Sequence, residues 1–295
     1  MPDALSSPAT TQELVQDSGC SERVLLPVLE SLERLGLVDR REQAWRLTTP
    51  GAELLGAGSP GRGQLAQFGY NAGAWPKLAA VGRSGVPADG LTWPQWAIGA
   101  DMSDPWKDRT AQEAEILARC LSPLPADARF YDIGCGDGRV TQALLDANPS
   151  STAVMVDRAL VLDATVSRMP HLSARIEGVV ADAFTLDHRG DAALVVLANI
   201  LHSYTPADCQ RLIVRAAAHL GPRGRLVVRD MDRTLSSSGI RHGLDFSLHM
   251  ALLSKVAGAH HPVDVQQWMQ DAGLSVQRLD GYPQSTGCFA LVGVR

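Results

Sequence analysis

The chain has 295 residues, a net charge of −5 and an apolar fraction of 45%, as an ordinary soluble globular protein would. This charge gives no electrostatic case for nucleic acid or an anionic membrane as a partner. The five cysteines are scattered and odd in number, which favours reduced thiols in a cytoplasm over disulfides or a zinc site. The first residues do not look like a signal peptide, and the longest apolar run, Ala192–Leu201, is too short to span a membrane.

Two helices and a hairpin are predicted at the start of the chain. Thr10 and Glu13 form a capping-box pattern for a short helix, and Ser21 is placed to cap a longer one. Two apolar segments then flank the polar stretch Asp39–Gln43, as the strands of a hairpin would. Helix, helix and hairpin in this order predict a winged helix, which we assign to residues 1–57. Such a domain serves either DNA binding or contact between protein surfaces.

Charge favours the second of these roles. Between Met1 and Leu55 there are nine acidic residues and five basic ones. The helix that would read DNA carries Glu22, Glu30 and Glu33, whereas a DNA-reading surface should be basic. We therefore expect an interaction module, for which a homodimer contact is one role.

A connector is predicted from residue 58 to residue 126. It begins with a stretch rich in Gly, Ser and Pro, which is typical of a loop, and continues with irregular helical patterns. Most of the tryptophans of the chain lie here, namely Trp75, Trp93, Trp96 and Trp106. They are expected to pack against the following domain, or to form a lid over an apolar ligand.

A glycine turn opens the third part of the chain, residues 127–295. Asp132 ends an apolar run and is followed by Gly134, Gly136 and Gly138, before a helical pattern begins. Glycines there permit positive φ and let a ligand approach the bare backbone. The acid ahead of the glycines would repel a pyrophosphate but suits a ligand that carries an ammonium group. Asp157, at the tip of the next strand, is placed to hold the two hydroxyls of a ribose.

Strands and helices alternate from this turn onwards. Strands are predicted at Phe130–Ile133, Ala153–Val156, Val179–Ala181, Ala193–Leu197, Arg225–Arg229, Val276–Leu279 and Ala290–Val294. Helices are predicted at Val140–Ala147, up to Met169, after Thr205 and at Val263–Ala272. The fold class is therefore α/β, a doubly wound sheet with an antiparallel last strand, and ligands are expected at the carboxyl ends of the strands.

His202 follows the strand at Ala193–Leu197 and so falls at that edge of the sheet. An isolated histidine is commonly structural, but histidine is also the side chain best suited to accept a proton near neutral pH. Its place beside the expected ligand favours a catalytic role.

The turn at Asp132–Gly138 resembles the nucleoside-binding turn of class I S-adenosylmethionine-dependent methyltransferases. Most of the chain is similar to the winged-helix small-molecule O-methyltransferases of plant and bacterial secondary metabolism, through Arg46-Leu47-Thr48, Trp75-Pro76-Lys77-Leu78 and the segment around His202. The resemblance implies that His202 is a general base oriented by Asp230, and that the substrate is a small molecule. It implies a cofactor site for S-adenosyl-L-methionine, formed by Asp132, Gly134, Gly136, Gly138, Asp157, Arg158, Asp182, Ala183, Phe184 and Asn199.

The chain departs from that family at several places. Ser203-Tyr204 stands where the family has Asp-Trp, and the helices that usually precede the winged helix are absent, which bears on the dimer. A second acid usually precedes the last helix, where this chain has His260 and His261.

These departures leave two alternatives to O-methylation. His202 and one of the two later histidines could hold a divalent or ferric metal ion, which would assist C-methylation of an α-keto acid. In that case His202 would be a ligand and not a base. The alternative from another class is a winged-helix regulator that binds S-adenosylmethionine without turnover.

Overall fold

The computed structural model describes residues 5, 7–56, 73, 75–88, 107–187, 190–234, 242–283 and 287–295. They belong to two units, the smaller drawn from Met1–Ala72 and Asp104–Arg109, and the larger from Gly73–Ser103 and Thr110–Arg295. The helix at Leu78–Ser84, in the predicted connector, thus groups with the larger unit. The three-part division of the chain remains a prediction. Trp93, Trp96 and Trp106 lie outside the described residues.

The smaller unit combines helices with a small antiparallel sheet. Its elements are β1 (Ala9–Thr10), α1 (Thr11–Ser18), α2 (Glu22–Arg34), β2 (Val38–Arg41), β3 (Ala44–Leu47) and α3 (Thr49–Leu55). The capping box at Thr10 is present, with the Glu13 N–H donating to Thr10 Oγ1 over 3.3 Å and Thr10 N–H donating to the Glu13 carboxylate. Ser21 is the N-cap of α2, although its side chain makes no capping bond. Trp45 is fully buried in the core of this unit.

The hairpin turn is tighter than the sequence predicts. Glu42 and Gln43 alone form it, with φ of 49° and 71°, and Asp39 to Arg41 belong to β2. Two successive residues with positive φ match the right-handed twist of the flanking strands. Polar side chains in an exposed strand explain why this stretch was predicted as turn.

The larger unit contains a seven-stranded sheet. Its strands are β4 (Arg129–Ile133), β5 (Thr152–Asp157), β6 (Ile176–Val180), β7 (Ala192–Ala198), β8 (Leu220–Met231), β9 (Ser275–Arg278) and β10 (Cys288–Val294). The order is β6-β5-β4-β7-β8-β10-β9, with β10 antiparallel to both β8 and β9 and the remaining pairs parallel. The α/β class and the antiparallel end of the sheet are confirmed. The winding direction reverses between β4 and β7, where a crevice for ligands forms in such sheets.

Helices cover both faces of this sheet. They are α4 (Leu78–Ser84), α5 (Lys107–Leu121), α6 (Arg139–Ala147), α7 (Ala159–Val166), α8 (Pro206–Ala218), α9 (His242–Leu253) and α10 (Pro262–Asp271), with 3₁₀ turns at Trp75–Lys77, Pro170–Arg175 and Leu201–Ser203. One apolar core joins the sheet to α8 and α10, and the other joins it to α5, α6 and α7. The central strand β7 contributes to both cores, through Val195 and Val196, because successive side chains point to opposite faces.

Several elements differ from prediction, among them β8, which extends from Leu220 to Met231. β6 begins at Ile176 and not at Val179, since this edge strand is only half-buried and Glu177 and Gly178 interrupt its apolar pattern. The helix predicted to reach Met169 ends at Val166 and is followed by a 3₁₀ turn from Pro170. α9 was not predicted, because its sequence lacks an obvious amphipathic stripe.

Candidate active site

The glycine turn links the end of β4 to the start of α6. Gly134, Gly136 and Gly138 have φ of 74°, 53° and 76°, a left-handed conformation that other residues adopt at a cost. A Cβ on Gly134 would lie 2.4 Å from the Ile200 side chain, and one on Gly138 would lie 2.6 Å from Thr165. A Cβ on Gly136 would meet no atom within 4 Å. Gly136 is thus the glycine whose bare backbone borders open space.

The side chain of Asp157, at the end of β5, is hydrogen-bonded to this turn. Its carboxylate accepts the Gly136 N–H over 2.9 Å and the Arg158 N–H over 2.8 Å. The hydroxyl of Thr165, on α7, donates to the Gly136 carbonyl over 2.7 Å. The turn is therefore held through its backbone on both sides, and the Asp157 carboxylate keeps lone pairs for a further donor.

Asp132 is a buried carboxyl directly behind the turn. Its side chain is 1% exposed and accepts a hydrogen bond of 2.7 Å from Thr141 Oγ1. The pKa of Asp132 is raised to about 6, chiefly by burial. The negative charges of Asp157 and Asp137 raise it further, whereas the hydrogen bond from Thr141 lowers it. A cation bound at the turn would favour the ionised form of this group.

A cavity of about 390 Å³ opens where the turn meets the carboxyl ends of β5 and β7. This volume lies in the range of small-molecule sites. Six of the residues singled out in the sequence line it, namely Gly134, Gly136, Asp157, Arg158, Asn199 and His202. The wall also includes Ile200 and Tyr204, which lie close in sequence to predicted residues. Ser254 and Ala257 complete this part of the wall, and they follow helix α9, which was not predicted.

The remaining predicted cofactor residues lie around that wall. Gly138 is the N-cap of α6. Asp182 accepts the Phe184 N–H over 2.7 Å, so that Asp182, Ala183 and Phe184 share one turn after β6. The Phe184 ring packs edge-on against Tyr204, with ring centroids 5.1 Å apart. Phe184 therefore contacts Tyr204, which is one of the residues that line the cavity.

His202 and Asp230 form a dyad at the cavity. Nδ1 of His202 lies 2.8 Å from Asp230 Oδ1, and the His202 backbone N–H donates to Oδ2 over 3.2 Å. Burial would raise the pKa of Asp230, but the interactions with His202 hold it below its ordinary value. An ionised carboxylate only accepts hydrogen bonds, so Nδ1 carries the proton and donates to Asp230, which leaves Nε2 as the basic nitrogen. Phe246, on α9, packs edge-on against the imidazole with centroids 4.9 Å apart.

Arg229 is a functional candidate that the sequence reasoning missed. It is 4% exposed, and its guanidinium donates to Tyr282 Oη over 2.9 Å, to Asn199 Oδ1 and to the Glu113 carboxylate. Burial opposes its charge, but Cys288, Tyr282 and Glu113 raise the pKa of the guanidinium above its ordinary value. An arginine within the apolar run of β8 was the available signal.

The two later histidines have contacts of their own. Nε2 of His260 lies 3.1 Å from the Leu201 carbonyl and 3.4 Å from Cys209 Sγ, and the ring packs on Trp268. His261 is exposed and is the N-cap of α10. Within the described ranges, no three His, Cys, Asp or Glu side chains are grouped to hold a metal ion. Nor does any helix among the described residues have the length and apolarity to cross a membrane.

A family model described as a methyltransferase domain matches residues 106–279. The chain is 34% identical over 126 residues to a trans-aconitate 2-methyltransferase of Variovorax paradoxus, which covers 42% of the chain and 46% of that protein. It is 29% identical to an 8-amino-8-demethylriboflavin N,N-dimethyltransferase of Streptomyces davaonensis, over 88% of the chain and 79% of that protein. An indolepyruvate C-methyltransferase of Streptomyces griseus is 29% identical over 68% of the chain and 59% of its own length. Two of these three matches thus span less than two thirds of the relative.

Solved structures share the fold across almost the whole chain. Human N-acetylserotonin methyltransferase in complex with S-adenosylmethionine superposes with a TM-score of 0.74 and 20% identity, covering 100% of this chain and 90% of that one. An O-methyltransferase from neocarzinostatin biosynthesis, bound to S-adenosylmethionine and 2-hydroxy-5-methyl naphthoic acid, gives a TM-score of 0.73 with 21% identity, covering 97% and 88%. At these identities the likeness bears on the fold alone.

Proposed function

The chain belongs to the methyltransferase domain family, and on that premise we propose that it transfers a methyl group from S-adenosylmethionine to a hydroxyl of a small aromatic acceptor. The observation that carries the proposal is the shared cavity. Its wall holds both the glycine turn with Asp157 and the His202 imidazole, which Asp230 orients. A ligand-holding turn and an oriented base are the two parts that such a transfer requires.

The cavity residues fit this cofactor. Asp157 has lone pairs free for the ribose hydroxyls, and Asp182 with the Phe184 ring suits the adenine. Asp137 is paired with Arg139, whereas Asp132 and Asp157 bring negative charge to the turn, which suits the ammonium and sulfonium charges. Gly136 leaves room for close approach to the backbone. When bound, the cofactor supplies a methyl group on a sulfonium, an electrophile that is already activated.

The protein's own contribution is then alignment and proton removal. Asp230 holds the Nδ1 proton of His202, so Nε2 is ready to accept the proton of the acceptor hydroxyl. Asp230 also stabilises the imidazolium that forms, since its pKa is held low and it stays ionised. Phe246 packs against the imidazole edge-on and limits its rotation.

An aromatic acceptor is favoured by the wall and by the structural relatives. Tyr204 lines the cavity and Phe246 packs on His202, and aromatic side chains bind flat apolar molecules well. The neocarzinostatin enzyme binds a hydroxynaphthoic acid. We therefore infer that hydroxynaphthoates and hydroxyindoles are suitable first probes.

Metal-assisted C-methylation is the less favoured alternative. The Streptomyces griseus relative is named for C-methylation of indolepyruvate, which is the reason to consider this alternative. The contact of His260 Nε2 with the Leu201 carbonyl engages one of the two ring nitrogens that could bind a metal. A chelator is therefore expected to leave methyl transfer unchanged, and an activity on indolepyruvate that is lost with chelator would favour the alternative.

The test combines cofactor binding with methyl transfer. Calorimetry should detect S-adenosylmethionine binding to the wild-type chain, and Asp157→Ala should weaken it by about 1.5–3 kcal/mol, because charge-assisted hydrogen bonds are lost. Asp146→Asn, an exposed change on α6, is the matched control. Transfer of labelled methyl to the hydroxynaphthoate or hydroxyindole panel should follow. Binding without transfer to any hydroxyl compound would instead favour a sensor without turnover.

A further inference from the structure

Arg229 and Asp230 are consecutive residues of β8 that hold the same segment of the cavity wall. Asp230 binds the ring and the backbone N–H of His202. Arg229 binds Asn199 twice, because its carbonyl accepts the Asn199 N–H over 2.8 Å and its guanidinium donates to Asn199 Oδ1. Asn199 has φ of 55°, a left-handed conformation in which the chain leaves β7 to run along the cavity. The Arg229 contacts support that conformation.

The guanidinium also decides which way the Asn199 amide faces. Arginine has five N–H donors and no acceptor, so only the amide oxygen of Asn199 can bind it. The amide nitrogen must then lie on the other side of the group. Because Asn199 lines the cavity, an N–H₂ donor is what its side chain offers to a ligand.

Burial makes this arrangement rigid. Arg229 is 4% exposed, and two more of its donors are engaged, by Glu113 from α5 and by Tyr282 from the segment before β10. A buried guanidinium whose partners come from separate elements has no alternative position at low energy. Asn199 is thereby attached to a fixed point of the fold, although its own residue is exposed.

The neighbourhood of Asn199 indicates the group that it meets. Ile200, the next residue, packs against Gly134 of the glycine turn. Asp137 of the turn is paired with Arg139, but Asp132 and Asp157 attract the ammonium of a methionyl moiety and repel its carboxylate. The carboxylate therefore needs a hydrogen-bond donor away from these acids. The Asn199 amide nitrogen provides one on the same cavity wall.

We propose that Arg229 is a positioning residue that fixes the Asn199 amide as a donor to the carboxylate of the methionyl moiety of S-adenosylmethionine. The inference rests on the proposed function and adds a specific recognition pair to it. Arg229 makes no contact with the ligand and acts through Asn199. Arg229 and Asn199 together recognise only the carboxylate, so their contribution to affinity disappears for a ligand without that group.

Decarboxylated S-adenosylmethionine is the probe that isolates this effect, since it keeps the sulfonium, the amine and the nucleoside. Asn199→Asp keeps a partner for Arg229 but replaces the donor with an acceptor. By calorimetry, Asn199→Asp should weaken S-adenosylmethionine binding about 10- to 100-fold and leave the decarboxylated ligand nearly unaffected. Its thermal unfolding midpoint should not fall, because an ion pair replaces a neutral contact.

Arg229→Lys tests the positioning role separately. Lysine keeps the charge but cannot bridge the same three partners, so the preference for S-adenosylmethionine over the decarboxylated ligand should shrink. A merely structural role would weaken both ligands equally and leave their ratio unchanged.

Three outcomes overturn the inference. Equal weakening of the two ligands in Asn199→Asp, or no weakening of either, refutes it while leaving the proposed function intact. A wild-type chain that does not bind S-adenosylmethionine refutes the proposed function and this inference together.

Discussion

Asp132 is a buried carboxyl whose protonation should be coupled to ligand binding. Its pKa in the ligand-free fold is raised to about 6 from 3.8, chiefly by burial. The folded chain therefore binds more protons than the unfolded chain between about pH 4 and 6. Across this window the raised pKa costs stability as the pH rises, on the order of 3 kcal/mol in total. A cationic ligand at the turn offsets that cost by favouring the carboxylate.

Binding of S-adenosylmethionine at pH 6 should therefore release about half a proton from Asp132. Calorimetry in two buffers with different enthalpies of ionisation measures this number directly. Asp132→Asn should abolish the release and weaken binding, whereas Asp146→Asn, at an exposed position, should do neither. An unchanged proton release in Asp132→Asn would contradict the assignment.

The glycine turn is the element that the sequence predicted best. Three glycines at alternate positions after an apolar run indicate a local conformation, and the structure has positive φ at each of them. The position of Asp157 was predicted from its spacing past the glycine turn, which one intervening helix sets. This spacing is also a local property of the sequence. Such features follow from the order of residues and need no knowledge of the tertiary fold.

Arg229 could not be found in the same way. Its partner Glu113 lies 116 positions away in the chain, and Phe246 reaches His202 from a helix that was not predicted. Contacts of this kind depend on how helices pack over the sheet, which no local pattern contains. The histidine pair illustrates the same limit, because only the packed structure brings His260 against the Leu201 carbonyl.

Two glycines of the turn should respond differently to substitution by alanine. Gly136→Ala should cost about 1–2 kcal/mol of unfolding free energy, from its positive φ alone, because a Cβ there meets no atom. The new methyl group should nevertheless lower affinity for S-adenosylmethionine at least 10-fold, since the ligand is expected to approach that backbone. Gly138→Ala should cost about 2–4 kcal/mol, because its Cβ would also overlap Thr165 and Met169.

Denaturant unfolding and calorimetry on the two variants check this contrast. The stability ranking follows from the room around each Cβ, while the affinity of Gly136→Ala depends on where the ligand binds. Full affinity in a stably folded Gly136→Ala chain would show that the ligand does not approach the turn.

The net charge of −5 over the whole chain predicts that the protein does not bind nucleic acid. We expect the N-terminal module, residues 1–57, to make protein contacts and to leave DNA unbound. A gel-shift assay with random duplex at low salt is the test, and the chain should not shift the DNA at micromolar concentration. Salt-sensitive binding in that range would support the regulator alternative, because phosphate contacts weaken steeply with salt.

In the proposed function, one cavity has two parts with separate roles. The glycine turn holds the methyl donor, and the dyad of His202 and Asp230 removes a proton. They can be separated by a variant that affects the base alone. His202→Ala removes Nε2 and leaves the glycine turn and Asp157 in place. Asp230→Asn keeps the imidazole but no longer favours its correct tautomer, so its effect should be smaller.

The decisive measurement is the turnover of His202→Ala on the acceptor that the wild-type chain methylates, with S-adenosylmethionine affinity determined in parallel. We predict a fall in turnover of about 10²–10⁴, the usual contribution of a general base, with cofactor affinity retained. The loss should be smaller at high pH, where the acceptor hydroxyl ionises without help. Turnover close to that of the wild-type chain at neutral pH would contradict the account.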